Sequence, residues 1–101
     1  MSEAKFTKAP WKIQDDGYGL IGVLFRKGYG VLVGHKDNES ISNAHLITVA
    51  PEMYEEIERD IGWLGMMKAK FVLGSYEYRS ICLRIESKQK LLAKARGEHN
   101  A

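Results

Sequence analysis

The sequence predicts an α+β fold: an N-terminal three-stranded antiparallel β-meander, a short helix, then a C-terminal antiparallel helical hairpin. Three observations carry this. The first third alternates short β-branched, apolar runs with glycine-rich turns. From about residue 38 the apolar spacing changes from period two to a helical period. Two long helical patterns then flank Gly74-Ser75.

Each element has its own signal. Trp11-Lys12-Ile13-Gln14 alternates apolar and polar, and Asp15-Asp16-Gly17 is turn chemistry. Residues 20–25 form a second apolar run, Arg26-Lys27-Gly28 a second turn, and residues 29–33 a third strand closed by Gly34. Asn38 or Ser40 is placed to cap a first helix, with Asp37 and Glu39 suited to its positive end. Ile41, Ala44, His45 and Thr48 share one face of it. Pro51 breaks that helix and starts the next, whose first turns hold Glu52, Glu55 and Glu56.

Tyr54, Ile57, Ile61, Leu64 and Phe71 carry the stripe of this second helix, which is expected to run to Gly74-Ser75. Gly62 and Gly65 weaken it by up to ~1 kcal/mol each and mark either a kink or the close approach of another backbone. Tyr78, Cys82, Ile85 and Leu92 form the stripe of a last helix, which ends at Gly97 with Lys90, Lys94 and Arg96 in its final turns. The expected organisation is a flexible segment 1–9, a single domain 10–97 and a frayed end 98–101.

Charge is unevenly placed. Residues 37–60 hold seven acidic residues and one basic one, Arg59, whereas residues 79–101 hold six basic and two acidic ones. Antiparallel folding about Gly74-Ser75 sets the acidic half of one helix beside the basic end of the other. The mosaic is therefore expected to pair internally, at ~0–1 kcal/mol per exposed pair. That uses up the basic tail, and a net charge of +2 argues against nucleic acid as a partner. The lone Cys82 fits a reducing compartment, and no apolar run suits a signal core or a membrane span. The expected location is the cytoplasm of a bacterial host.

Three blocks carry a resemblance. They are Ala9-Pro10-Trp11, the run from Asn43-Ala44-His45-Leu46-Ile47 through Ala50-Pro51-Glu52-Met53 to Ile57, and Leu91-Leu92-Ala93-Lys94-Ala95-Arg96-Gly97-Glu98. This pattern resembles small phage and prophage accessory proteins of unassigned function. The chain departs from it with Ala9 where glycine is usual and Thr48-Val49 where alanines are usual. The resemblance implies an accessory protein, of a kind that often binds and disables a host factor. It carries over no catalytic residue.

The residues offer several candidate sites. Gly17-Tyr18-Gly19-Leu20-Ile21-Gly22 is a literal G-x-G-x-x-G, echoed eleven residues later by Gly28-Tyr29-Gly30. A dinucleotide fingerprint needs a helix opening at the third glycine, and here another strand follows. A kinase-type loop needs H-R-D and D-F-G, which the chain lacks. The glycines are therefore read as serving turns and close packing. His35, His45 and His99 share no metal-ligand spacing, and His45 is expected to be partly buried between helix and sheet. Cys82 is expected to be a buried structural thiol.

No nucleophile, base and orienter can be assembled, so the chain is not expected to be an enzyme or to need a cofactor or metal. Trp63, Met66 and Met67 lie off the main helical stripe and mark a partner-binding face, either for a host or phage protein or for a homodimer through the hairpin. Arg26 and Lys27, with Tyr18 and Tyr29, form a second candidate contact surface. The alternatives are a small-ligand or nucleotide-sequestering binder using backbone donors near residues 17–22 or 28–34, and a weak nucleic-acid binder.

Overall fold

The computed structural model describes residues 6–98. The element order is β1 (Lys12–Asp15), β2 (Leu20–Arg26), β3 (Tyr29–His35), α1 (Asn38–Thr48), α2 (Ala50–Lys68) and α3 (Tyr76–Ala95). The fold is α+β, with the three strands forming one antiparallel sheet in the order β1-β2-β3. The described residues divide into two compact units, residues 6–53 and 54–98.

In the first unit α1 covers one face of the sheet. Ile21 and Val23 of β2 meet Ala44 of α1, and all three are buried. Ala44 is the small residue that allows the helix this close. Trp11, Ile13, Phe25, Val33, Ile41 and Ile47 close the cluster around them. The Trp11 and Phe25 rings lie 4.6 Å apart. Of the N-terminal stretch expected to be flexible, residues 1–5 lie outside the described residues. Phe6 packs edge-on against Trp11, and the Trp11 indole N–H donates to the Thr7 carbonyl at 3.0 Å.

Two glycines govern the β2–β3 pairing. A Cβ on Gly22 would lie 2.6 Å from the Val31 carbonyl oxygen, and one on Gly30 would lie 2.4 Å from that of Val23. The two backbones approach more closely than any side chain at these positions allows. A register shift between Ile21 and Gly22 leaves a bulge on β3 around Val33.

The cap of α1 is Asp37, whose carboxylate accepts from the Ser40 backbone N–H at 2.8 Å. Asn38 and Ser40, the caps read from the sequence, are the first and third helical residues instead. Val49 ends α1, and Pro51 is the second residue of α2 and fully buried. α1 presents Ile41, Ala44 and Ile47 inward. That rotation leaves His45 exposed and corrects the expected burial.

In the second unit α2 and α3 run antiparallel. Arg96 Nη1 donates to the Tyr54 hydroxyl at 2.8 Å, Lys88 pairs with Asp60 at 3.4 Å, and Lys68 Nζ lies 5.8 Å from the Tyr78 ring centroid. As one partner advances from 54 to 68 along α2, the other retreats from 96 to 78 along α3. The turn therefore falls near Gly74, as the hairpin requires. Tyr54, Leu64, Leu92 and Ala93 are the buried residues of this unit. Cys82 is half-buried, not fully so.

Three further expectations change in this unit. α2 stops at Lys68, six residues before Gly74, and the chain continues in tight turns bonded Lys70 N–H to Met67 and Phe71 N–H to Lys68. Phe71 is thus a loop residue. Gly62 and Gly65 have nothing within 4 Å of an added Cβ, so no backbone approaches them. Charge pairing is mostly local: Arg59 binds Glu55 and Glu56, Lys90 binds Glu86, and only Lys88–Asp60 bridges the helices among the described residues.

Both ends of α3 are closed by specific bonds. Ser75 Oγ accepts from the Tyr78 N–H. At the other end the Gly97 and Glu98 N–H groups reach the Lys94 and Ala93 carbonyls, a Schellman closure. Of the expected frayed end, residues 99–101 lie outside the described residues.

Gly30→Ala and Gly62→Ala separate the two kinds of glycine. Gly30→Ala is expected to cost ~1–3 kcal/mol, since backbone must move to admit the methyl. Gly62→Ala, in an open helical position, is expected to be neutral or to stabilise by up to ~1 kcal/mol. Urea denaturation of both variants measures this difference.

Candidate functional site

The glycine-rich motif sits in the β1–β2 turn and the start of β2. Three of the backbone donors in its turn are occupied. Asp15 Oδ1 accepts from the Gly17 N–H at 2.8 Å, and Asp16 Oδ1 accepts from the N–H groups of Tyr18 and Leu20 at 2.7 and 3.0 Å. Two carboxylates thus hold the N–H groups that a phosphate cradle would need, and their charge repels a second anion. Gly17 and Gly19 have φ of +79° and +93°, which the turn requires.

The sheet face opposite α1 is concave. Its cavity of about 600 Å³ is lined by Gln14, Leu24, Lys27, Tyr29 and Leu32, over a floor left bare by Gly22 and Gly30. Arg26, Lys27 and Tyr29 come together at the β2–β3 turn, where the Arg26 guanidinium lies 4.2 Å from the Tyr29 ring centroid. Tyr18 is fully exposed in the other turn, at the far end of seven-residue β2. At ~3.3 Å per residue it lies about 20 Å away. The four residues named from the sequence are therefore three plus one.

The hairpin holds a second, more apolar groove near its turn. It encloses about 270 Å³ between Trp63, Leu64, Met67 and Phe71 on one side and Tyr76, Ser80, Ile81 and Arg84 on the other. Trp63 is 58% exposed and Tyr76 77%. Val72 and Leu73, in the adjoining loop, are more exposed still. Trp63 and Met67 line the groove together; Met66 is exposed but outside its lining. Phe71 and Tyr76 escaped sequence reasoning because Phe71 was read into a helix and Tyr76 lies off the α3 stripe. The surplus of aromatics was the available signal.

Among the described residues, no group of three or more His, Cys, Asp or Glu side chains is gathered to hold a metal ion. No helix there is long and apolar enough to cross a membrane.

The family model of the Salmonella phage P22 protein Y8K6 matches residues 1–99. The chain belongs to this phage protein family. No curated protein and no solved structure matches it. The family match and the resemblance read from the sequence agree on a phage protein, and neither assigns a site. For this member of the Y8K6 family, the geometry leaves the hairpin groove and the sheet surfaces as candidates.

Three charged groups near the sheet shift in mutually consistent directions. Lys36, hydrogen-bonded to Asp15, holds the Asp15 carboxyl below its ordinary value with help from the Gly17 N–H; Asp15 in turn raises the Lys36 ammonium. The Ser40 N–H holds Asp37 low in the same way. A carboxyl depressed in the folded state contributes stability above its ordinary value near 3.8, and that stability is lost as pH falls through the folded value. A raised ammonium contributes below its ordinary value near 10.5 and loses this as pH rises through the folded value. The Asp15–Lys36 pair therefore supports the fold between those limits. Asp37→Asn, which keeps a capping oxygen, is expected to flatten the acid limb of stability against pH. Denaturation at neutral and acid pH checks the slope.

Proposed function

We propose that this phage protein is a non-enzymatic accessory protein of the bacterial host cytoplasm that binds a host or phage protein through the hairpin groove. The observation that carries this reading is the exposed set Trp63, Phe71, Val72, Leu73 and Tyr76, gathered where α2 and α3 turn back on each other. Large exposed apolar patches mark interaction sites, and Trp and Tyr are the residues most often at the energetic centre of an interface. Ile81 and Leu64 give the groove a hydrophobic floor, and Arg84 and Glu77 supply a polar rim that can fix orientation. An amphipathic segment laid in a groove of this kind is a common recognition mode.

Trp63→Ala/Tyr76→Ala is the informative variant, because both side chains are mostly exposed and the hairpin should fold without them. The native chain should retain a specific protein from host or phage-infected extract, and the purified pair should bind. The double variant should weaken that binding by roughly tenfold or more at an unchanged melting temperature. A retained protein bound equally well by the variant would overturn the groove assignment. Loss of self-association in the variant would instead make a second copy the occupant of the groove.

A further inference from the structure

We propose that two copies of the chain associate through the outer edges of their β3 strands, antiparallel, joining two three-stranded sheets into one. This surface lies in the first unit and is independent of the groove reading. The starting point is the unequal treatment of the two sheet edges. β1 is four residues long, follows Pro10 and carries Lys12 and Asp15. Short length, proline and charge are the usual devices that keep an edge from pairing. β3 has none of them: it spans seven residues, and from Tyr29 to Gly34 it holds neither charge nor proline.

That edge is open. Tyr29, Val31 and Leu32 are exposed, Leu32 at 69%, although Val23 directly across from Val31 is fully buried. Among the described residues, no backbone hydrogen bond beyond the β2 ladder reaches residues 29–34. Every second residue of such a strand therefore turns an N–H and a C=O outward without a protein partner. One bulge lies around Val33 and a second irregularity falls between Leu24 and Arg26, opposite Gly30 and Tyr29, so residues 30–32 are the regular run.

Charge selects a second copy in antiparallel orientation. At the start of β3 stand Arg26 and Lys27, neither of which makes an ion pair among the described residues. At its far end stand Asp15, Asp16, Asp37 and Glu39, opposed by Lys36 and balanced only in part by it. A two-fold axis near Val31 and Leu32 brings the basic end of one strand to the acidic end of the other, twice. A parallel arrangement would oppose like ends. Antiparallel edges also repeat the same hydrogen-bond pattern on both sides of the axis, so the surface is complementary to itself. Leu32 and Val31 then supply the cross-strand apolar pairs.

Light scattering on the full chain tests the pairing. The native chain is expected to be a dimer. Leu32→Lys and Leu32→Glu place like charges beside the axis, and each alone is expected to lose roughly tenfold or more in dimer affinity. Mixed in equal amounts, the two variants should recover the dimer. A native chain that stays monomeric overturns the proposal, as does a dimer that persists in both single variants. Should either variant fold poorly, hydrogen exchange on the native chain decides. Outward amides of β3 should exchange more slowly as concentration rises, and exchange independent of concentration would refute β3 pairing.

Discussion

The sheet depends on the close approach of two backbones. Gly22 faces the Val31 carbonyl and Gly30 faces that of Val23, and no side chain fits at either point. This approach fixes the register that sends Ile21 and Val23 toward α1, where Ala44 meets them. The same two glycines leave the other face without side chains at its centre, which is why that face is concave. The glycine-rich motif is thus accounted for twice over. Its first glycines turn the chain under the two aspartates, and its last lets β3 close on β2. The echo at Gly28-Tyr29-Gly30 follows from the same need on the next strand.

The hairpin rests on a different principle. Few of its side chains are fully buried, and its register is set by spaced contacts: Tyr54 with Arg96, Asp60 with Lys88, Lys68 with Tyr78. The Arg96 guanidinium also binds Glu98, so a single side chain ties the start of α2 to the end of α3. Because α2 ends at Lys68 and α3 begins only at Tyr76, the connection is long enough to carry Phe71, Val72 and Leu73 outward. The exposed apolar end of the hairpin is a feature that stability does not explain, and it is the reason a binding role is favoured there.

Much of the architecture was legible in the sequence, because local chemistry decided it. Asp15-Asp16-Gly17 forms the turn read from it, held by the aspartate side chains, and Gly97 ends α3 as read. The misreadings have separate causes. Asn38 and Ser40 were the caps read for α1, but Asp37 just before them is the residue with extended backbone and takes the role. Phe71 lies in phase with Tyr54, Ile57, Ile61 and Leu64, and no glycine or proline marks the end at Lys68, so periodicity ran past the true end. His45 was misplaced because α1 is rotated to present Ile47 inward. The candidate surfaces were only partly visible. Trp63 and Met67 were picked out, but their partners Phe71 and Tyr76 come from a loop and another helix. The meander already places β3 at an edge, but the exposure of Tyr29, Val31 and Leu32 along it depends on packing beyond the strand itself.

The most direct test of the central claim, that the glycine motif is structural and its Gly17, Tyr18 and Leu20 donors are held by aspartates, is an amide chemical-shift titration with inorganic phosphate and with a nucleotide. The Gly17, Tyr18 and Leu20 amides are expected to stay in place, held by Asp15 and Asp16. A saturable shift confined to those amides would contradict the account and return the motif to phosphate binding.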